Sequence, residues 1–162
     1  MYFQMRRDAD QWFKDISGSF ATKFDLYYLC LMAGFAARRK SELESASGTD
    51  ILDYFPHEFR TRGSLIISLL ISTELSVAGI DLNERDAVNC TISKLVTPDT
   101  ASKLADEGVR LMNRYASGGF EALIEHFDDR PRTIETFLRT YHSIIERLRS
   151  EVTAPVVRAT DV

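Results

Sequence analysis

The side chains that could do chemistry in this sequence are three histidines, two cysteines and a surplus of arginines. His57, His126 and His142 show no metal-binding spacing such as HExxH, and neither Cys30 nor Cys90 lies close in sequence to a second ligand. His126 with Asp128 and Asp129 is the one local grouping that offers a metal site or a hydrolytic acid–base set. The alternative is simpler: a histidine favoured at the end of its helix, and two aspartates that form a turn and start the next helix. No glycine-rich loop follows a strand, and there is neither a nucleophile elbow nor a carboxylate pair flanked by aromatic residues. No enzyme, metal or cofactor is expected. Both cysteines fall in apolar helical patterns, which predicts two buried free thiols rather than a disulfide.

The basic residues carry more weight. Arg38, Arg39 and Lys40 end one apolar run, Arg60 and Arg62 precede another, and Arg110 and Arg114 form an i, i+4 pair. Five more arginines lie between Arg130 and Arg149. Guanidinium groups pair bidentately with phosphate or carboxylate, so an assembled patch would grip a nucleic-acid backbone. The competing reading is a solvated surface with local ion pairs, such as Glu107 with Arg110 and Glu146 with Arg149. A formal net charge of -4 argues against wholesale nucleic-acid binding, though not against a local basic patch. A helix-turn-helix over Glu84–Leu95 and Asp99–Met112 is disfavoured, because its turn holds proline and its second helix offers Lys103 and Asp106 instead of a basic face.

The elements that must position these residues read as helices. With 162 residues, 44% of them hydrophobic and 27% charged, the chain has the size and composition of one ordinary globular domain. No signal peptide is visible, and the cysteine usage reads as cytosolic. Residues 1–4 (MYFQ) resemble a protease-site tag, residues 5–150 the helical domain, and residues 151–162 a flexible C-terminal tail. The central feature is Phe24 to Lys40, apolar on nearly every helical face up to Ala37, as a buried core helix requires. It is too short and too interrupted by Asp25 to span a membrane.

A short amphipathic helix over Ala9–Ile16 precedes it, with Trp12, Phe13 and Ile16 on one face. Ser41 to Asp50 reads as a mobile loop. A helix over Phe59–Ile80 presents Leu65, Ile66, Leu69, Leu70, Thr73 and Val77 as one stripe, with Gly79 as its stop. It holds more apolar side chains than one internal face requires, so it is either a second core helix or part of a subunit or partner interface. Asn83 caps a helix over Glu84–Val96, and Thr97-Pro98-Asp99 restarts the chain. Gly118-Gly119 is expected to break that helix before a short one over Phe120–Phe127, and a long helix from Ile134 to Leu148 closes the fold. The fold class is all-α, a compact single-domain bundle of six or seven helices.

Two segments carry a family likeness. LMAGFAARRK (Leu31–Lys40) is an apolar helix running through Gly and Phe into basic residues. RLMNRYASGGFEALIEHF (Arg110–Phe127) ends in Tyr-Ala-Ser-Gly-Gly and reopens with an apolar residue, Glu and Leu. Together they resemble the small DNA phosphorothioation-associated accessory proteins encoded beside the Dnd-type sulfur-modification genes of bacterial phage-defence islands. That resemblance spans roughly Phe24 to Leu138 and implies a non-enzymatic accessory protein that works with a larger modification, restriction or motor protein on DNA. The family offers no catalytic residue to carry over. Arg38, Arg39, Lys40, Arg110 and Arg114 are the positions where the likeness and the electrostatic reading coincide, and they are the expected DNA- or partner-binding residues.

Overall fold

The computed structural model of the chain describes residues 1–43 and 48–153. These form a mostly helical bundle with one two-stranded sheet. Strand β1 (Gln4–Arg6) leads into α1 (Arg7–Trp12), followed by the central α2 (Lys23–Ala37) and β2 (Gly48–Asp50). Then come α3 (Gly63–Ala78), α4 (Arg85–Leu95), α5 (Asp106–His126) and α6 (Ile134–Thr153). Among the described residues no helix is long and apolar enough to cross a membrane. The centre of the Ser41–Asp50 loop and the tail beyond Thr153 lie outside the described residues.

Helix α2 starts where its capping chemistry says it should. The Thr22 backbone N–H donates to Asp25 Oδ2 at 2.7 Å and the Thr22 hydroxyl donates to the same oxygen at 2.9 Å, holding the first turn. Its end is set by Arg38 in the left-handed conformation, φ 49°. Phe24, Tyr27, Cys30, Leu31 and Ala33 are essentially removed from solvent, as a helix apolar all round demands.

The partner of α2 is α5, and the contact is backbone-close. A Cβ on Gly119 would lie 1.8 Å from the Cys30 carbonyl oxygen, one on Gly34 2.0 Å from the Tyr115 carbonyl oxygen, and one on Gly118 2.4 Å from the Arg39 carbonyl oxygen. Helix α5 runs unbroken through Gly118 and Gly119. The expectation of a break at Gly118-Gly119 is therefore corrected: the two residues are absent side chains at a helix crossing, not a helix stop. Their proximity to backbone, rather than any need for a positive φ, is what fixes glycine there.

Three further expectations change. Residues 1–4 do not stand apart from the fold: Phe3 is fully buried against the rings of Phe24, Tyr27 and Phe55, with centroids 5.3–5.5 Å away. Asn113 of α5 holds this end of the chain, its Oδ1 accepting from the Gln4 N–H (2.9 Å) and the Tyr27 hydroxyl (3.0 Å) while its Nδ2 donates to the Tyr2 carbonyl (3.0 Å). The chain does not re-enter a helix at Asp99. Instead Val96 bridges Leu104, the Ala105 N–H donates to the Leu95 carbonyl, and buried Leu104 pins an irregular connection that delays α5 to Asp106. The stripe expected on α3 is split: Ile66 and Leu70 are buried, whereas Leu65, Leu69 and Val77 are 60%, 37% and 47% exposed. Helix α3 lies on the outside of the bundle, so only one of its sides meets the core. Gly79 does end it, at φ 68°.

Candidate functional site: a groove on the central helix

The basic end of α2 folds back over α5 and meets carboxylates. Arg39 donates to Glu125 (2.7 Å) and Glu121 (2.9 Å), and Glu121 also accepts from Arg6 (2.8 Å) and the Ser41 hydroxyl (2.7 Å). Partial burial opposes ionisation of Glu121, but the Ser41 hydrogen bond and the charges of Arg39 and Arg6 outweigh it and hold the carboxyl below its usual range. The hydrogen bond from Arg39 does the same for Glu125. Lys40 donates to Glu74 at 2.9 Å and lies over the Tyr115 ring, whose hydroxyl donates to the same Glu74 oxygen. Burial, together with this bond to a carboxylate, pushes the Tyr115 hydroxyl well above the ordinary phenol value. Arg114 pairs with Glu42 at 2.6 Å, and Arg110 pairs with Glu107 along its own helix.

Of the five residues singled out from the sequence, Arg39, Lys40 and Arg114 thus gather around the end of α2, each with a carboxylate. Arg110 stands apart with Glu107. Arg38 is exposed and has no ion-pair partner among the described residues. The five do not make one unneutralised patch. The carboxylates that absorb them, Glu74, Glu121 and Glu125, were not singled out from the sequence. Only Glu121 and Glu125 leave a signal there, as an i, i+4 acidic pair on α5.

Beside Arg38 lies a hollow of about 750 Å³. Its floor is one face of α2, formed by Tyr28, Leu29, Met32, Phe35 and Ala36, at the spacing of a helix-packing stripe. Leu69 of α3 and Ile145 of α6 form the walls, and among the described residues the charged ones lining it are Arg38 and Arg149. The Tyr141 hydroxyl donates to the Leu29 carbonyl at 2.8 Å, which fastens α6 to α2 along the groove, and burial pushes that hydroxyl upward as well. An apolar slot over a central helix, with cations at its mouth, is complementary to an amphipathic segment that carries carboxylates.

His126, Asp128 and Asp129 line a separate hollow of about 350 Å³. His126 Nδ1 lies 2.8 Å from the Ala122 carbonyl, one turn back on α5. Among the described residues no three His, Cys, Asp or Glu side chains are grouped so as to hold a metal ion. Cys30 is buried, which pushes its thiol far up, whereas Cys90 is exposed on α4, correcting the expectation that both are buried. Helix α4 is amphipathic but meets the bundle with little more than Leu95, so its other apolar positions stay near the surface.

Comparison with protein-family models, with curated proteins and with solved structures found no match to this chain.

Proposed function

We propose that this chain is a non-enzymatic accessory or adaptor subunit of a bacterial DNA-modification or phage-defence assembly, acting by protein–protein contact with a larger partner. The observation that carries the reading is the groove over α2. It is apolar along a helix-length floor, and among the described residues its lining holds two arginines and no carboxylate. An acidic amphipathic helix or strand of the partner would lay its apolar face on Met32 and Phe35 and its carboxylates against Arg38, with Arg149 exchanging its long, exposed contact to Glu146 (3.6 Å). The likeness of Leu31–Lys40 and Arg110–Phe127 to the phosphorothioation-associated proteins supplies the biological setting.

Direct binding of a DNA backbone is the second reading. It receives less support, because Arg39, Lys40, Arg110 and Arg114 each already face a carboxylate and would have to exchange it for phosphate.

Tagged chain incubated with the products of neighbouring genes should retain one larger protein, and Arg38→Glu combined with Arg149→Glu should release it. Both residues are exposed, so the fold should survive the change. A chain that elutes alone with every neighbour tested sinks the adaptor reading. Binding to duplex DNA that falls steeply with salt and disappears with the same double variant would favour the second.

A further inference from the structure

The outer face of α3 adjoins the groove through Leu69, Ser72 and Ser76 and continues beyond it, and its composition is unusual for a helix on the outside of a protein. Ser64, Ser68, Ser72 and Ser76 recur every fourth residue, and Leu65 and Leu69 lie beside them. All six are exposed. The single charge within the helix, Glu74, is directed away from this face toward Lys40 and Tyr115. A solvated helix face ordinarily carries charge. This one presents a ridge of small residues next to a ridge of leucines, which is the relief that lets two helices interdigitate.

The order of large and small residues is self-complementary. Laid antiparallel against a copy of itself about a two-fold axis between Leu70 and Ile71, α3 sets Leu65 opposite Ser76 and Leu69 opposite Ser72, at both ends alike. The charges just outside the helix obey the same symmetry. Arg60 and Arg62 precede it, Asp81 and Glu84 follow it, and none of the four has an ion-pair partner among the described residues. The antiparallel arrangement brings the basic end of one copy to the acidic end of the other, and also opposes the two helix dipoles favourably. A parallel pair would oppose like charges at both ends.

We infer that a second copy of this chain covers the outer face of α3, forming a two-fold dimer through antiparallel α3 helices. The helix has 16 residues and is therefore about 24 Å long. A contact of that length is at the small end of specific interfaces, so a reversible monomer–dimer equilibrium is expected. The pairing shares Leu69, Ser72 and Ser76 with the α3 wall of the groove and adds Leu65 and Ser68, which do not line it. It does not depend on the proposed adaptor role.

Sedimentation velocity from about 1 μM to 1 mM should show a monomer–dimer equilibrium. Leu65→Arg should weaken it by about 100-fold, because an arginine would be buried against apolar neighbours in the dimer while remaining solvated in the monomer. Circular dichroism should show the monomer unchanged, since Leu65 is 60% exposed. Orientation is read from disulfides in a Cys90→Ser background. Ser72→Cys should cross-link readily, whereas Ser64→Cys should not, since the two positions 64 would lie about 20 Å apart along the axis. A monomer at every concentration, or a dimer indifferent to Leu65→Arg, overturns the inference. Equal cross-linking from positions 64 and 72 overturns the antiparallel register. Loss of partner capture with Arg38→Glu and Arg149→Glu while the dimer persists would separate the two surfaces.

Discussion

Two helix faces in this molecule present small residues, and they have opposite fates. At the α2–α5 crossing, Gly34, Gly118 and Gly119 leave so little room that carbonyl oxygens occupy the places where Cβ atoms would be. On α3, Ser64, Ser68, Ser72 and Ser76 face solvent. The first face is closed by the chain's own α5 and sealed at its end by the Arg39, Glu121 and Glu125 network. The second is open, neutral and flanked by unpaired charges of opposite sign at its two ends. Small residues therefore mark close approach in both places. What differs is whether the approaching helix belongs to the same chain.

The sharpest way to break that comparison is Gly119→Ala. Alanine favours a helix over glycine by about 1 kcal/mol, so on an open face the change would stabilise. Here the added methyl meets the Cys30 carbonyl, and α2 and α5 must part. A loss of about 3 kcal/mol or more in urea unfolding is expected. A neutral or stabilising result would mean that the crossing is not as close as described.

Glu121→Gln tests the seal at the end of the crossing, with a loss of about 1 kcal/mol at neutral pH. The folded pKa of Glu121 is depressed, so its contribution is present above the unfolded carboxylate value of about 4.3 and is lost as pH falls through the folded value. The gap in melting temperature between wild type and variant should close as the protein is acidified. A gap independent of pH would assign the loss to packing instead of charge.

Ser68→Ala should be the smallest effect, within about 0.5 kcal/mol, because Ser68 is exposed among the described residues. Its Oγ donates back to the Ser64 carbonyl, a bond that contributes little to an exposed helix. A large loss in the unfolding of the monomer would show that the α3 face is already covered and end the contrast with α5.

Much of the fold was legible along the chain. Helix α2 followed from its all-round apolar pattern, and α6 was legible as a long helix from Ile134 to Leu148. Gly79 was readable as a stop. The three-residue strands were not, because β1 and β2 are too short to show a period and each has meaning only through the other. The α5 start was misplaced because Thr-Pro-Asp is good local chemistry for a helix start, while the bridge from Val96 to Leu104 is a pairing across a loop. The arginines at the end of α2 were visible as a cluster, but their carboxylate partners come from α3, α5 and the segment after α2, so their neutralisation was not.

By itself, then, the sequence determined that this is a helical domain, roughly where most of its helices lie, and that its central helix must be buried. Those are properties of local periodicity and capping, where each residue interacts with neighbours three or four places away. Only the tertiary structure decided that a double glycine is a crossing and not a break, that a tag-like Phe3 is core, that most of the basic cluster is already paired, and that one face of α3 and one face of α2 stay uncovered. These are consequences of contacts between segments distant along the chain, and no local pattern encodes which helix comes to lie against which.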